Sequence, residues 1–191
     1  MPQTADPLRL LERAVEQAGG SIARVRPDQA HQPTPCTEFD VRRLVNHIVF
    51  DVRLFTAMLT GAERGSPDVD LIDDDWAGAY RTATDALLDT WRSHGLERSL
   101  NLRFGERPAT WALGQHTTNL VVHAWDVATA TGQSTETFDP ELARFALDWA
   151  RDNLTPQLRG QAFGPEVTVP ETAPIYDRLV GFFGRDPAAF R

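Results

Sequence analysis

The chain has 191 residues, of which 41% are hydrophobic and 24% charged, and it carries a net charge of −8. That length suits one globular domain, and the acidic balance argues against a nucleic-acid partner, which would call for a basic face. All 19 basic side chains are arginine, so lysine chemistry such as a Schiff base is excluded. Cys36 is the only cysteine, which excludes an intrachain disulfide or a multi-cysteine metal site.

Asp6 and Pro7 read as the N-cap and first residue of a helix that runs to about Arg26. Leu8, Leu11, Ala14, Val15, Ala18, Ile22 and Val25 recur along it at helical spacing. Pro27 ends it. The loop PDQAHQPTPCTEFD follows, with Pro33 and Pro35 favouring an extended path. His31 is read there as solvated, and Cys36 either as a packed small residue, the favoured role, or as a thiol near a pocket mouth. Asp40 caps a second helix that reaches about Leu59, with Val41, Leu44, Val45, Ile48, Val52 and Phe55 as its apolar face. His47 borders that face, one turn before Asp51.

A polar loop over residues 60–75 carries Asp68, Asp70, Asp73, Asp74 and Asp75. It lacks the glycine and terminal glutamate of a helix-loop-helix calcium site, so it reads as a solvated loop feeding a helix N-cap. The third helix spans about Asp75 to Ser93, and His94-Gly95 is its exit. Residues 97–107 alternate weakly through Leu100, Leu102 and Phe104, which predicts an extended segment or short hairpin turning near Gly105.

The fourth helix, from about Pro108 to Thr131, is apolar nearly all round and must be buried. His116, Asn119, His123 and Asp126 nevertheless fall at steps of three, four and three, in one stripe. Buried polar groups need partners, so the stripe is either a metal or substrate site or a satisfied hydrogen-bond network. Asp139-Pro140 opens a fifth helix to about Leu154, and a sixth runs from about Ala173 to Phe183. The Gly- and Pro-rich stretch between them, residues 156–172, has no predicted fold. No apolar run is long enough to span a bilayer, and the first residues lack the pattern of a signal peptide, so a cytoplasmic protein is expected.

Two motifs, TPCTEFDVRRLVNHIV over residues 34–49 and HTTNLVVHAWDVATATGQ over residues 116–133, together resemble the DinB-like superfamily. Within it they are similar to proteins related to mycothiol-dependent maleylpyruvate isomerase. The ending FGPEVTVPETAPIYDRLVGFFGRDP, residues 163–187, resembles the subgroup described as metal-binding. The resemblance implies an all-α, DinB-like four-helix bundle with added C-terminal helices. It implies one domain over residues 1–191, with residues 1–135 as core bundle and 136–191 as an extension packed on it. It also implies a divalent metal, Zn or Ni, held by His47, Asn119 and His123, with mycothiol as cosubstrate. The family usually has an acid or a histidine where this chain has Asn119, a weaker neutral donor. His116 lies about 10 Å along the axis from His123 and is a candidate general base or polar contact in the same cavity. Asp126 is a candidate acceptor for an imidazole N–H, or else the partner of an arginine elsewhere.

The activity implied is metal-dependent S-transfer or isomerisation of a small electrophilic metabolite by a thiol. The alternative is a metal-free pocket protein that kept the bundle and lost the metal chemistry. A purely structural role is the third reading. No membrane partner is expected, and a homodimer is left open.

Overall fold

A computed structural model describes residues 6–102, 105–154, 159 and 164–190. Four helices form the bundle: α1 (Pro7–Ala23), α2 (Val41–Thr60), α3 (Trp76–His94) and α4 (Ala109–Ala130). The chain then adds α5 (Pro140–Asn153) and α6 (Ile175–Phe182). In the bundle, α1 packs on α3 and α4, and α2 packs on the same two helices. α5 and α6 lie against each other and against α4.

The helix starts follow from local chemistry. The carboxylates of Asp6, Asp40, Asp75 and Asp139 each accept a backbone N–H from the first turn of the helix they precede. α1 ends at Ala23, three residues before the position expected from its apolar pattern. Pro27 disfavours helical geometry in the residue before it, and Arg26 is accordingly extended at φ −91° and ψ 151°. α3 exits through Gly95, whose φ of 67° suits glycine.

The segment between α3 and α4 is a hairpin, β1 (Ser99–Leu102) paired antiparallel with β2 (Gly105–Pro108). Leu100 and Leu102 turn into the core, while the expected third member, Phe104, lies outside the described residues. Pro108 offers α4 no side-chain cap, and the Ala109 N–H instead donates to the Arg98 carbonyl at 2.8 Å.

α4 is the axis of the molecule. Fifteen of its 22 residues are buried, because four helices of the fold (α1, α2, α5 and α6) and the hairpin cover its sides. Gly114 lets α5 come close: a methyl group there would sit 2.4 Å from the Trp149 indole nitrogen. Trp125, 4% exposed, packs in the core. Among the described residues, no helix is long and apolar enough to cross a membrane. Parts of the Gly- and Pro-rich stretch after α5, residues 155–158 and 160–163, lie outside the described residues.

Candidate functional site

The loop before α2 is pinned to the helix it feeds. The Thr34 hydroxyl donates to the carbonyls of Cys36 and Phe39, at 2.9 and 2.8 Å, and Pro33 bridges to Asp40. Val41 and Arg42 donate their backbone N–H groups back to the Gln32 and Ala30 carbonyls. This fold of the loop sets Phe39 flat on the His47 ring, with centroids 5.0 Å apart and planes 17° apart. It also brings Cys36 to the C-terminal half of α4.

His47 from α2 meets His123 from α4 edge to face, with ring centroids 5.3 Å apart. The His123 Nδ1 lies 3.0 Å from Asp126 Oδ2. Asp126 is fully buried, and its carboxylate is held ionised, so this nitrogen carries the proton and Nε2 is left with a free lone pair. Burial alone would raise the Asp126 carboxyl. The charge of Arg185 beside it and the bonds from His123 and Arg185 outweigh that and hold it below the usual carboxylate range. Arg185 grips both carboxylate oxygens, Nε to Oδ1 at 3.2 Å and Nη2 to Oδ2 at 2.8 Å. Its remaining Nη1 donates to the Phe183 carbonyl. The two roles considered for Asp126, acceptor for an imidazole and partner of an arginine, are therefore filled together.

Cys36 joins the same cluster. A potential ligand atom from each of Cys36, His123 and Asp126 lies within 4.8 Å of the other two. Burial pushes the Cys36 thiol up to about 11, against the opposing pull of Arg185. His47 is shifted the other way, downward, mainly by burial and further by His123, while Asp51 opposes the shift. Asp51 Oδ2 lies 3.6 Å from His47 Nε2. Asn119 is half-buried, one turn before His123 on the same face of α4. Beside His47 an open groove of about 370 Å³ is lined by Phe39, Arg42, Arg43 and Asn46, with Pro67, Asp68 and Asp70 on the facing wall.

His116 is not part of this cluster. Its ring stacks on Phe55 at 4.1 Å, two turns deeper in the bundle, and is fully buried. Neither of its nitrogens has a hydrogen-bond partner among the described residues. Burial lowers its proton affinity to a pKa of about 3. With no exposed surface, it is not placed to trade protons with a bound substrate in this conformation. The other two histidines are peripheral. His31, with an 84% exposed side chain, reaches Asp40, and His94 reaches the Thr90 carbonyl at the end of α3.

Sequence reasoning missed Arg185, which lies 59 residues from Asp126. The only signal available was a buried acid in need of a counter-charge, and that signal does not say which arginine answers it.

Comparison with known proteins extends these findings. The profile of the mycothiol maleylpyruvate isomerase N-terminal domain matches residues 11–128. Two uncharacterized proteins from two strains of Mycobacterium tuberculosis are each 35% identical over 184 residues, covering 94% of this chain and 98% of theirs. Among solved structures, the crystal structure of the mycothiol-dependent maleylpyruvate isomerase aligns with a TM-score of 0.57, and that of a histidine-to-alanine mutant of it with 0.59. Both are 12% identical, and the alignment covers 73% of this chain and 65% of theirs, just under two thirds of their length. At that identity the likeness establishes the fold, an all-α DinB-like one.

Proposed function

Because the chain belongs to the family of the mycothiol maleylpyruvate isomerase N-terminal domain, within the DinB-like superfamily, we propose that it is a metal- and thiol-dependent enzyme acting on a small electrophile. In this reading His47 and His123 hold a divalent ion, Zn or Ni, and the thiol is mycothiol, as in the names of the family and of the solved relatives. The reaction is S-transfer, or reversible addition that permits cis–trans isomerisation.

The observation that carries the reading is the meeting of His47 and His123 from two helices, with the second nitrogen of His123 already committed to Asp126. A buried carboxylate behind a histidine fixes the tautomer that leaves Nε2 free to bind metal. When bound, the metal lowers the pKa of a coordinated thiol, so that thiolate is present at neutral pH. The protein does the rest. Arg185 keeps Asp126 anionic, and Asp126 keeps the His123 ring oriented. Phe39 covers one face of His47 and limits water on that side. Asn119 offers its amide as a weak ligand or a contact to substrate, and the groove beside His47 is where a small molecule would enter.

The test is elemental mass spectrometry on protein purified without an affinity tag or chelator, with His47→Ala and His123→Ala beside it. Near-stoichiometric Zn, Ni or Fe that falls in both variants is expected, and thiol-transfer assays follow from it. No metal, and no thermal shift on adding Zn²⁺ or Ni²⁺, would overturn the proposal. That result would favour the second reading, a metal-free small-molecule site, for which the neutral Asn119 in the family's usual ligand position already speaks.

A further inference from the structure

Among the described residues, one set of three potential metal ligands stands together: Cys36, His123 and Asp126, each offering a ligand atom within 4.8 Å of the other two. His47 is not part of it. Cys36 comes from the loop before α2, where the Thr34 hydroxyl holds the Cys36 carbonyl at 2.9 Å. The other two come from successive turns of α4, and there His123 Nδ1 faces Asp126 Oδ2 at 3.0 Å. Both sides of the set are fixed by bonds already made.

The spacing suits one ion. Zinc bonds sulfur at about 2.3 Å and nitrogen at about 2.1 Å, so at a tetrahedral angle the two stand about 3.6 Å apart. The set must close by at most about 1.2 Å. Cys36 is only half-buried and can supply that movement by turning its side chain. Charge is also met. A thiolate and a carboxylate carry two negative charges, against two on the ion and one on Arg185. Arg185 need not leave, because the ion takes the place of the His123 N–H at Oδ2 and both Arg185 bonds to the carboxylate stay.

We propose that Cys36, His123 and Asp126 form a second metal site, containing one thiolate and suited to zinc-like cations rather than to Mg²⁺ or Ca²⁺. On binding, the imidazole proton moves from Nδ1 to Nε2, and the Cys36 thiol proton leaves to solvent. This site and the His47–His123 site therefore share one ring and exclude each other. The new site is the weaker, since the set must close and the bond between His123 and Asp126 is lost, and it fills only on adding metal. It does not need His47, and so stands or falls apart from the reading above.

The experiment is titration with Co²⁺ on His47→Ala, which removes the competing site, and on His47→Ala/Cys36→Ser. A near-ultraviolet thiolate-to-cobalt band is expected in the first, saturating at one ion per chain. In the second the band should be absent and Co²⁺ affinity at least tenfold weaker. A second readout uses Zn²⁺, which should slow alkylation of Cys36 by iodoacetamide at least tenfold in His47→Ala. Thermal melts of the metal-free variants check folding, and His47→Gln serves in the same way if His47→Ala is unstable. No thiolate band and no protection in His47→Ala overturn the inference; if the wild-type chain still binds metal, the His47–His123 site stands. A band in the wild-type chain that vanishes in His47→Ala also overturns it, by making Cys36 a ligand of the His47 ion. Metal carried through purification, kept in His47→Ala and lost in Cys36→Ser, does the reverse: it sinks the His47–His123 reading and supports this site. If neither the wild-type chain nor His47→Ala binds Co²⁺ or Zn²⁺, both fall.

Discussion

His123 and His116 stand seven residues apart on one helix and face the same neighbouring helix, yet they live in opposite surroundings. His123, with 13% of its side chain exposed, is anchored by Asp126 and meets another imidazole. His116 is sealed, stacked on Phe55, and bonded to nothing among the described residues. The same side chain is thus a poised polar group at the end of the bundle and an aromatic filler in its middle. What separates them is the supply of partners. At the end, the loop before α2 and the segment after α6 bring in Cys36 and Arg185. In the middle, Phe55 arrives, and its ring offers His116 no hydrogen bond.

Removing the supply should collapse the difference, and the effect should be large. Arg185→Met leaves Asp126 buried with a single donor, and the chain is expected to lose about 3–5 kcal/mol of stability in urea unfolding. Asp126→Asn combined with Arg185→Met should cost clearly less, since no unpaired charge remains. A loss equal to that of the single variant would mean that Arg185 acts by packing alone.

Acid should strike the middle of the bundle first. His116 takes up a proton near pH 6.5 when unfolded but only near pH 3 when folded, so its contribution is complete above pH 6.5 and is lost as pH falls below it. Because the folded value lies well under 5, about 2 kcal/mol should be gone at pH 5. His47, also shifted downward, adds to the loss in the same direction. Asp126 acts in a separate window: its carboxyl is depressed, so its contribution disappears only below about pH 4. Chemical denaturation at pH 7.5 and pH 5 checks this, and a flat profile would contradict the sealed environment of His116.

His116→Leu isolates that term. The change deletes two buried nitrogens without partners, and should raise stability at pH 7 by about 1–2 kcal/mol while flattening the profile between pH 7 and pH 5. The same variant should leave metal content unchanged, because the ring is two turns from His47 and His123. His31→Ala is the smallest perturbation. The ring is exposed and its tie to Asp40 lies at the surface, so stability should move by no more than about 0.5 kcal/mol.

Much of the fold could be read from the chain, because its signals are local. An aspartate just before an apolar period marks a helix start wherever it occurs, and Asp6, Asp40, Asp75 and Asp139 all do so here. The hairpin after α3 and the burial of α4 were legible for the same reason. The candidate site was legible in part. The stripe on α4 placed Asn119, His123 and Asp126 on one face, but periodicity cannot say how deep a residue lies along a helix. His116 was therefore read as a candidate base or polar contact in the same cavity, whereas it is sealed in the bundle against Phe55. The division drawn at residue 135 between bundle and extension is bridged by the bond between Asp126 and Arg185.

That bond also fixes an order of events in time. A ribosome finishes α4 well before it reaches Arg185, since the two bonded residues are separated by 59 positions. Over that interval Arg185 is not there to pair with Asp126, and a buried carboxylate without its counter-charge is costly. The growing chain must keep this end of the bundle wet or its acid protonated. The histidine pair can therefore lock into its final geometry only among the last steps of folding, after the bundle around it has formed.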